Sequence, residues 1–301
     1  MVTEKPSRPT DSAIIDAHQH FWTRARSDYP FLVPSAGVLF DDYLPLHLLP
    51  ELQARHITGT ITVQATATVA ETQWLLDLAN GNATIRGVVG WLPVDGSSST
   101  FRRQLAKLRQ HSKLVGLRPM LQDLPRNDWI CDPPVLRNLR HLAAVGIPLD
   151  LLIYSRHIPH VREMLENVPG LHAVVDHAAK PAIRDRQWEP WASELRTLAP
   201  YARVFCKLSG LVTEAEWTMW RAADLDRYVA HVIDTFGPAR VMFGSDWPVC
   251  LQAASYGQVF ETLWDLVDRR VSASERARIF GLNALRFYPL PPAFPSVSPT
   301  P

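Results

Sequence analysis

Two histidines one residue apart stand at the end of the first apolar run of this 301-residue chain, where residues 14–20 read IIDAHQH. Alternate side chains of a β-strand point to the same face, so the spacing predicts that the imidazoles of His18 and His20 lie side by side. Neighbouring imidazoles typically bind a metal ion, hold a carboxylate or polarise a substrate. The alternative is a structural pair that hydrogen-bonds to the backbone.

Two further polar residues follow apolar segments later in the chain. Residues 241–248 read VMFGSDWP, which places Asp246 directly after an apolar strand, and His177 follows the segment 171–176 in the same way. Taken alone, His177 is also compatible with a hydrogen-bonded core histidine, and Asp246 with a cap of the next loop. A closed barrel makes its first and last strands neighbours, so we expect these two residues to meet His18 and His20 at one mouth.

Eight short runs rich in Val, Ile and Leu recur along the chain. Such runs are typical of parallel strands that are buried on both faces. The predicted strands are Ile14–His20, Gly59–Ala65, Arg86–Leu92, Val115–Leu121, Pro148–Tyr154, Leu171–His177, Arg203–Ser209 and Arg240–Asp246.

The segments between these runs have apolar residues at three- and four-residue spacing, which predicts amphipathic helices. The clearest are Val69–Asn80, Phe101–His111, Leu225–Phe236 and Val259–Val267. Capping-box patterns at 213–216 and 272–275 predict the starts of two late helices.

The repeated strand–helix order over about 250 residues predicts a single-domain α/β fold, the (β/α)8 TIM-type barrel. A doubly wound sheet would carry a Gly-rich turn after its first strand, and this chain has His and Trp there. We expect the barrel to span residues 12–288. A flexible segment, 1–11, precedes it, and a proline-rich tail, 289–301, follows it.

Strand alternation further predicts which side chains face the barrel interior. On the first strand Ile14 and Asp16 should share the inner face with the two histidines, while Ala17 and Gln19 face the helices. On the sixth strand Asp176 should point outward. The side chains expected to line one cup are His18, His20, Arg118, His177, Lys207 and Asp246. For Arg118 and Lys207, an ion pair with a nearby acid is the alternative to substrate contact.

The composition argues against several classes of partner. A formal net charge of +1 without a Lys/Arg run gives no basic surface for nucleic acid. No stretch approaches the roughly 20 apolar residues that a membrane helix needs. The 3 cysteines are scattered without a CxxC pair, which suggests neither a thiolate zinc site nor a disulfide framework and fits a cytoplasmic protein.

Taken together, these motifs resemble the amidohydrolase superfamily, and in detail they resemble its sugar-lactone hydrolase branch, which includes the L-fuconolactonases and L-rhamnonolactonases. The matching segments are 15–22 (IDAHQHFW), 116–118 (GLR), 176–181 (DHAAKP), 206–211 (CKLSGL), 243–249 (FGSDWPV) and 279–288 (IFGLNALRFY). The resemblance covers nearly the whole chain between its two ends.

The resemblance implies a hydrolase that opens a sugar-derived lactone with an activated water. Asp246 would be the general base, and His18, His20 and His177, or one Zn²⁺ held by these four residues, would polarise the carbonyl. Metal-free catalysis stays open, because the branch includes members that work without metal. Two-metal members carry a modified lysine on the fourth strand and a histidine on the fifth.

This chain has Arg118 and Tyr154 at those two positions, so we expect no binuclear centre. The residues expected to contact substrate, from their positions, are Trp22, Arg118, Tyr154, Lys207 and Trp247. Two alternatives remain: a zinc-dependent decarboxylase of the same superfamily, and an inactive barrel that binds a ligand. The expected partner is a small sugar lactone, and the sequence leaves the oligomeric state open.

Overall fold

The structure is a computed structural model that describes residues 13–291, and these residues form eight parallel strands in sequence order with helices between them. Each strand pairs in parallel with the next. The strands are β1 (Ile14–Gln19), β2 (Ile57–Val63), β3 (Ile85–Gly90), β4 (Leu114–Leu117), β5 (Leu149–Leu151), β6 (Ala173–Val175), β7 (Val204–Leu208) and β8 (Val241–Phe243).

The helices pack around the outside of the sheet. They are α1 (Pro45–Ala54), α2 (Val69–Asn80), α3 (Ser98–Leu108), α4 (Pro133–Val145), α5 (Ile158–Asn167), α6 (Trp191–Arg196), α7 (Ala222–Phe236), α8 (Tyr256–Asp268), α9 (Ala273–Ala277) and α10 (Asn283–Phe287). The four helices predicted from periodicity are all present, and α2 has the predicted bounds.

The sheet closes just beyond β8. The backbone N–H of His20 donates to the carbonyl of Trp247 at 2.7 Å, and the N–H of Asp246 donates to the carbonyl of His18 at 2.8 Å. The first and last strands are therefore neighbours, and the predicted (β/α)8 barrel is confirmed. Its predicted bounds stay predictions, because residues 1–12 and 292–301, with the expected flexible segment and most of the tail, lie outside the described residues.

Two apolar layers hold the barrel together. An inner layer contains Ile15, Ile61 and Met242 from the strands, together with Phe287 and Tyr288 from the end of α10 and beyond. An outer layer packs the other faces of the strands against the helices. The C-terminal helix and the residue after it therefore contribute side chains to the barrel interior, and Tyr288 reaches the buried polar groups described below.

The predicted alternation on β1 is wrong for four consecutive residues. Ile14 belongs to the outer layer and the carboxyl of Asp16 meets Tyr256 of α8, whereas Ile15 and Ala17 belong to the inner layer. The register against β2 shifts between Asp16 and Gln19. An extra residue at such a shift turns the following side chains to the other face. His18 and His20 consequently face the interior although Asp16 does not.

Several strands end earlier than predicted, and the chemical residues lie in the turns that follow. His177 and Asp246 have φ values of +52° and +57°, which a strand cannot contain. The predicted outward direction of Asp176 is also wrong, because its carboxylate points to the interior. The capping box at 213–216 opens no helix; the Thr213 hydroxyl instead donates to the carbonyl of Gly210 at 2.7 Å.

No helix within residues 13–291 is long and apolar enough to cross a membrane.

Candidate active site

His18 and the residue just after β1, His20, face each other at the carboxyl end of the barrel. Their Nε2 atoms are 3.2 Å apart. Nδ1 of His20 lies 2.7 Å from the carbonyl oxygen of Val63. Since a carbonyl oxygen can only accept, Nδ1 of His20 donates this bond. A neutral His20 therefore carries its lone pair on Nε2, directed at His18.

The carboxylate of Asp246 joins this pair. Its Oδ1 lies 3.3 Å from Nε2 of His20 and 3.9 Å from Nε2 of both His18 and His177. The Nδ1 atom of His177 is 2.9 Å from the hydroxyl of Ser209, so its Nε2 also faces the carboxylate. The structure thus brings together the four residues predicted to be catalytic.

Burial and neighbouring charge keep these groups in a defined state. Burial lowers the pKa of His18 well below its ordinary value and lowers that of His177 to about 4, so both rings are neutral at pH 7. Burial opposes ionisation of Asp246, but the surrounding imidazoles outweigh it and hold the pKa of the carboxyl below its usual value. At neutral pH the site therefore contains the ionised Asp246 carboxylate beside the neutral rings of His18 and His177.

Asp16 fastens the two closing strands together behind the site. Its Oδ1 accepts from the backbone N–H groups of His18 (3.1 Å) and Ser245 (2.9 Å), and its Oδ2 accepts from the hydroxyl of Tyr256 (3.0 Å). Burial raises the pKa of Asp16 to about 6. Because His18 and His20 stand at the end of β1 and Ser245 precedes Asp246, this carboxylate fixes the distance between the histidines and Asp246.

A group of buried charges, which we call the floor cluster, lies beneath the histidines. Lys207 Nζ is 2.5 Å from Asp150 Oδ2 and 3.0 Å from Asp176 Oδ1, and Arg118 Nη1 is 3.3 Å from Asp176 Oδ2. The hydroxyl of Tyr288 donates to Asp150 at 2.8 Å. The sequence analysis did not identify Asp150 and Asp176 as residues of the site. The one signal for them was the position of an aspartate inside an apolar strand or at its end.

The charges of this region are unbalanced in one direction. Asp150, Asp176 and Asp246 contribute three negative charges, since the pKa of Asp150 rises only to about 6, while Arg118 and Lys207 contribute two positive charges. The rings of His18 and His177 add none at pH 7. One negative charge is left over among these five charged groups, and burying it without a partner is costly.

The same atoms offer a complete set of ligands for one divalent cation. His18, His20 and Asp246 present ligand atoms within 4.8 Å of one another, and Nε2 of His177 faces the same carboxylate oxygen. Imidazole nitrogen and carboxylate oxygen suit Zn²⁺. The Nδ1 atoms of His20 and His177 are held by other groups, an arrangement that is typical of metal-binding histidines. The residues therefore fit a metal ion.

A cavity of about 380 Å³ opens above these groups. His20, His177 and Asp246 line its floor. Its walls carry apolar side chains from the loop after β1 and polar side chains from the loops after β4, β6 and β7. The wall residues are Trp22, Phe31, Leu39, Ala65, Arg118, Met120, Gln122, Asp123, Leu152, Lys180, Thr213, Glu214 and Val249. This mixture is typical of a site for a small polar molecule.

The five residues predicted to contact substrate are placed differently. Trp22 and Arg118 line the cavity. Lys207 is fully buried in the floor cluster. Tyr154 stacks on the guanidinium of Arg156 at 4.4 Å, and Trp247 packs edge-on against Tyr43 and Phe21; neither is among the residues that line the described cavity.

Two cavity residues that the sequence analysis did not single out form an ion pair on one wall. Lys180 Nζ lies 3.5 Å from Glu214 Oε1. Burial raises the pKa of Glu214, and the nearby Lys180 opposes that rise. Both follow the carboxyl ends of strands, where barrel enzymes place their functional loops. That position was the signal in the sequence by which Lys180 and Glu214 could have been identified as candidate site residues.

Comparison with known proteins identifies the class of this enzyme. The family model described as amidohydrolase matches residues 15–290. The chain belongs to the amidohydrolase family and is a hydrolase with a TIM-barrel fold.

Its relatives are also similar in detail. The chain is 40% identical over 287 residues to the L-fucono-1,5-lactonase of Burkholderia multivorans, an alignment that covers 92% of this chain and 96% of that protein. A crystal structure of an amidohydrolase from the same species with bound HEPES has a TM-score of 0.87 at 39% identity. A second, with bound zinc, has a TM-score of 0.85 at 40% identity. Each covers 93% of this chain and 100% of that chain.

Proposed function

We propose that this enzyme hydrolyses the ring ester of a sugar-derived lactone, with an L-fucono-1,5-lactone-like compound as the first substrate to test. The observation that carries the proposal is the ionised Asp246 carboxylate, 3.3 to 3.9 Å from three imidazole Nε2 atoms on the floor of the cavity. The 40% identity to an L-fucono-1,5-lactonase supports the choice of substrate class.

Asp246 acts as the general base. Its carboxylate accepts a proton from a water molecule while that water attacks the lactone carbonyl carbon. The same proton then passes to the ring oxygen when the carbon–oxygen bond breaks, so that the carboxylate is regenerated. Its lowered pKa keeps it ionised before each turnover.

The imidazoles hold the reacting groups in place around this base. His20 is fixed by the carbonyl of Val63 and His177 by Ser209, so neither ring can rotate away from the carboxylate. Negative charge develops on the carbonyl oxygen in the transition state, and donors on the cavity floor stabilise it. The Arg118 guanidinium lines the cavity, and its Nη1 lies 3.4 Å from Nε2 of His18.

A divalent cation fits the same residues. His18, His20, His177 and Asp246 would hold it, and when bound it would supply a Lewis acid for the carbonyl oxygen or for the attacking water. The cytoplasmic location, the single metal and the remaining partner expectations stay predictions.

The remaining cavity residues would select the substrate. Lys180 and Glu214 offer a donor and an acceptor for sugar hydroxyl groups, and Trp22 offers an apolar side chain from the loop after β1. These are the polar and flat contacts that sugar rings need.

The test compares wild type and the Asp246→Asn variant in the hydrolysis of a panel of aldonolactones. A pH indicator measures the acid that each lactone releases. Loss of the base should lower kcat by about 10²- to 10⁴-fold. Asp123→Asn is the matched control, because it changes another cavity carboxylate away from the histidines, and a change of less than tenfold is expected.

The alternatives give different results when CO₂ release from aromatic acids is assayed beside the lactone panel. A decarboxylase would release CO₂ from aromatic acids and open no lactone, and an inactive barrel would turn over neither. Equal activity of Asp246→Asn and wild type on every lactone would refute the proposed base.

A further inference from the structure

The inner nitrogen of His18 faces a donor and an acceptor at the same time. Nδ1 lies 3.2 Å from the ammonium of Lys207, which can only donate, and 3.3 Å from Oδ1 of Asp176, which can only accept. All three side chains are completely buried. Oδ1 of Asp176 receives no hydrogen bond from any described residue, although the Lys207 ammonium is 3.0 Å away. Buried acceptors are rarely left in this state.

A neutral imidazole carries one N–H, so only one of these two partners is used at a time. When Lys207 donates to Nδ1, the proton of His18 is on Nε2, where it points to the lone pair of His20 Nε2 at 3.2 Å. Every polar atom of the two rings then has a partner. This arrangement suits the site without a cation.

When the proton is on Nδ1, it is donated to Asp176 and Nε2 carries the lone pair. Arg118 Nη1 lies 3.4 Å from that lone pair, but the lone pair of His20 Nε2 still faces it beside the Asp246 carboxylate. Three electron-rich atoms then converge on one point. A cation between them would stabilise this arrangement.

We propose that Asp176 and Lys207 are positioning residues that give His18 two tautomers, with Nε2–H in the metal-free enzyme and Nδ1–H when a divalent cation is bound. The change removes one proton from Nε2 and adds one to Nδ1, so the ring stays neutral. This inference deepens the proposed function. It rests on that function only for the statement that the cation takes part in the reaction.

The floor cluster explains why both partners stay in place. Asp150 binds Lys207 at 2.5 Å and is itself held by the hydroxyl of Tyr288, while Arg118 holds the second oxygen of Asp176. Neither the donor nor the acceptor can leave His18 without breaking another buried ion pair. The tautomer can therefore change while the heavy atoms keep their positions.

The first test is nitrogen NMR of the whole protein labelled with ¹⁵N-histidine, recorded without metal and after loading with zinc. His18 is assigned by comparison with the His18→Gln variant. We expect a proton on Nε2 in the metal-free protein and on Nδ1 in the zinc-loaded protein. The same tautomer in both samples would overturn the inference.

The second test compares Asp176→Asn with Asp150→Asn. Each variant removes one negative charge beside Lys207, but only Asp176 contacts His18. An asparagine at 176 can present its N–H to Nδ1 and hold His18 as Nε2–H. Zinc affinity, measured by competition with a chelator, should fall about 10- to 100-fold in Asp176→Asn and less than threefold in Asp150→Asn.

Equal losses in the two variants would show a general charge effect and would overturn the role of Asp176, as would no loss in either. If Asp176→Asn does not fold, the wild-type NMR result decides alone. Neither readout uses a lactone. A wild-type enzyme that shows both tautomers but opens no lactone would therefore refute the proposed function and leave this inference standing.

Discussion

A substitution at Gly210 can test the geometry of the active site separately from the stability of the barrel. This glycine has a φ of +63° and lies against the site residues. A Cβ at position 210 would lie 2.6 Å from Nδ1 of His177 and 3.1 Å from Oδ2 of Asp246. Ordinary contacts begin near 3.4 Å, so Gly210→Ala must displace the His177 ring by about 0.8 Å.

The size of the effect follows from that displacement. A misplacement of about 1 Å in a catalytic group costs on the order of 10²-fold, so we expect kcat/KM of Gly210→Ala to fall about 10²-fold. The left-handed backbone adds about 1–2 kcal/mol of strain to any residue with a Cβ. That strain lowers the unfolding free energy without itself changing the chemistry.

Gly146→Ala is the control for strain alone. Gly146 has a φ of +71° at the end of α4, and a Cβ there would meet no atom within 4 Å. Both variants should therefore lose about 1–2 kcal/mol of unfolding free energy in urea titrations, but only Gly210→Ala should lose lactone hydrolysis. A Gly210→Ala enzyme within threefold of wild type, or an equal loss of activity in Gly146→Ala, would refute this reasoning.

Three further predictions concern charge. Because burial lowers the pKa of His177 to about 4, kcat/KM should fall below about pH 4 as the ring is protonated, with folding checked by circular dichroism; a rise toward acid contradicts this. Burial raises the pKa of Glu71 from 4.5 to about 7, so the folded state favours the protonated acid and loses stability as pH rises through that range. Relative to Glu71→Gln, wild type should lose about 3 kcal/mol of unfolding free energy between pH 4.5 and 7.5, measured with urea, and parallel pH profiles would exclude this. Lys180→Met should raise KM about tenfold or more while kcat stays within threefold, and a fall in kcat alone would assign Lys180 to the chemical step instead.

The barrel could be predicted from the sequence because its signals are local. Each strand is a short run of Val, Ile and Leu, and each clear helix has its own apolar periodicity. The convergence of the histidines with Asp246 was also predictable, since it follows from the closure of the ring. These inferences needed no knowledge of how one strand is aligned with the next.

The predictions that were wrong or missing concern features set by contacts between distant segments of the chain. The faces of Ile14 and Asp16 are set by the register shift of β1 against β2, which no property of residues 14–20 reveals. Asp150 is a single polar residue in an apolar strand. Its partners are Lys207 on another strand and Tyr288 beyond the last helix. A single aspartate has no local sign of such partners.

The backbone of the site supports the view that its geometry is maintained for function. Four consecutive residues, His177 to Lys180, have φ values between +50° and +58°, and each left-handed non-glycine residue costs about 1–2 kcal/mol. Such strain persists where surrounding contacts determine the conformation. Here the indole N–H of Trp191 donates to the carbonyl of Ala178 at 2.6 Å. The strained turn places both His177 and Lys180 at the cavity, so one costly segment positions two side chains that line it.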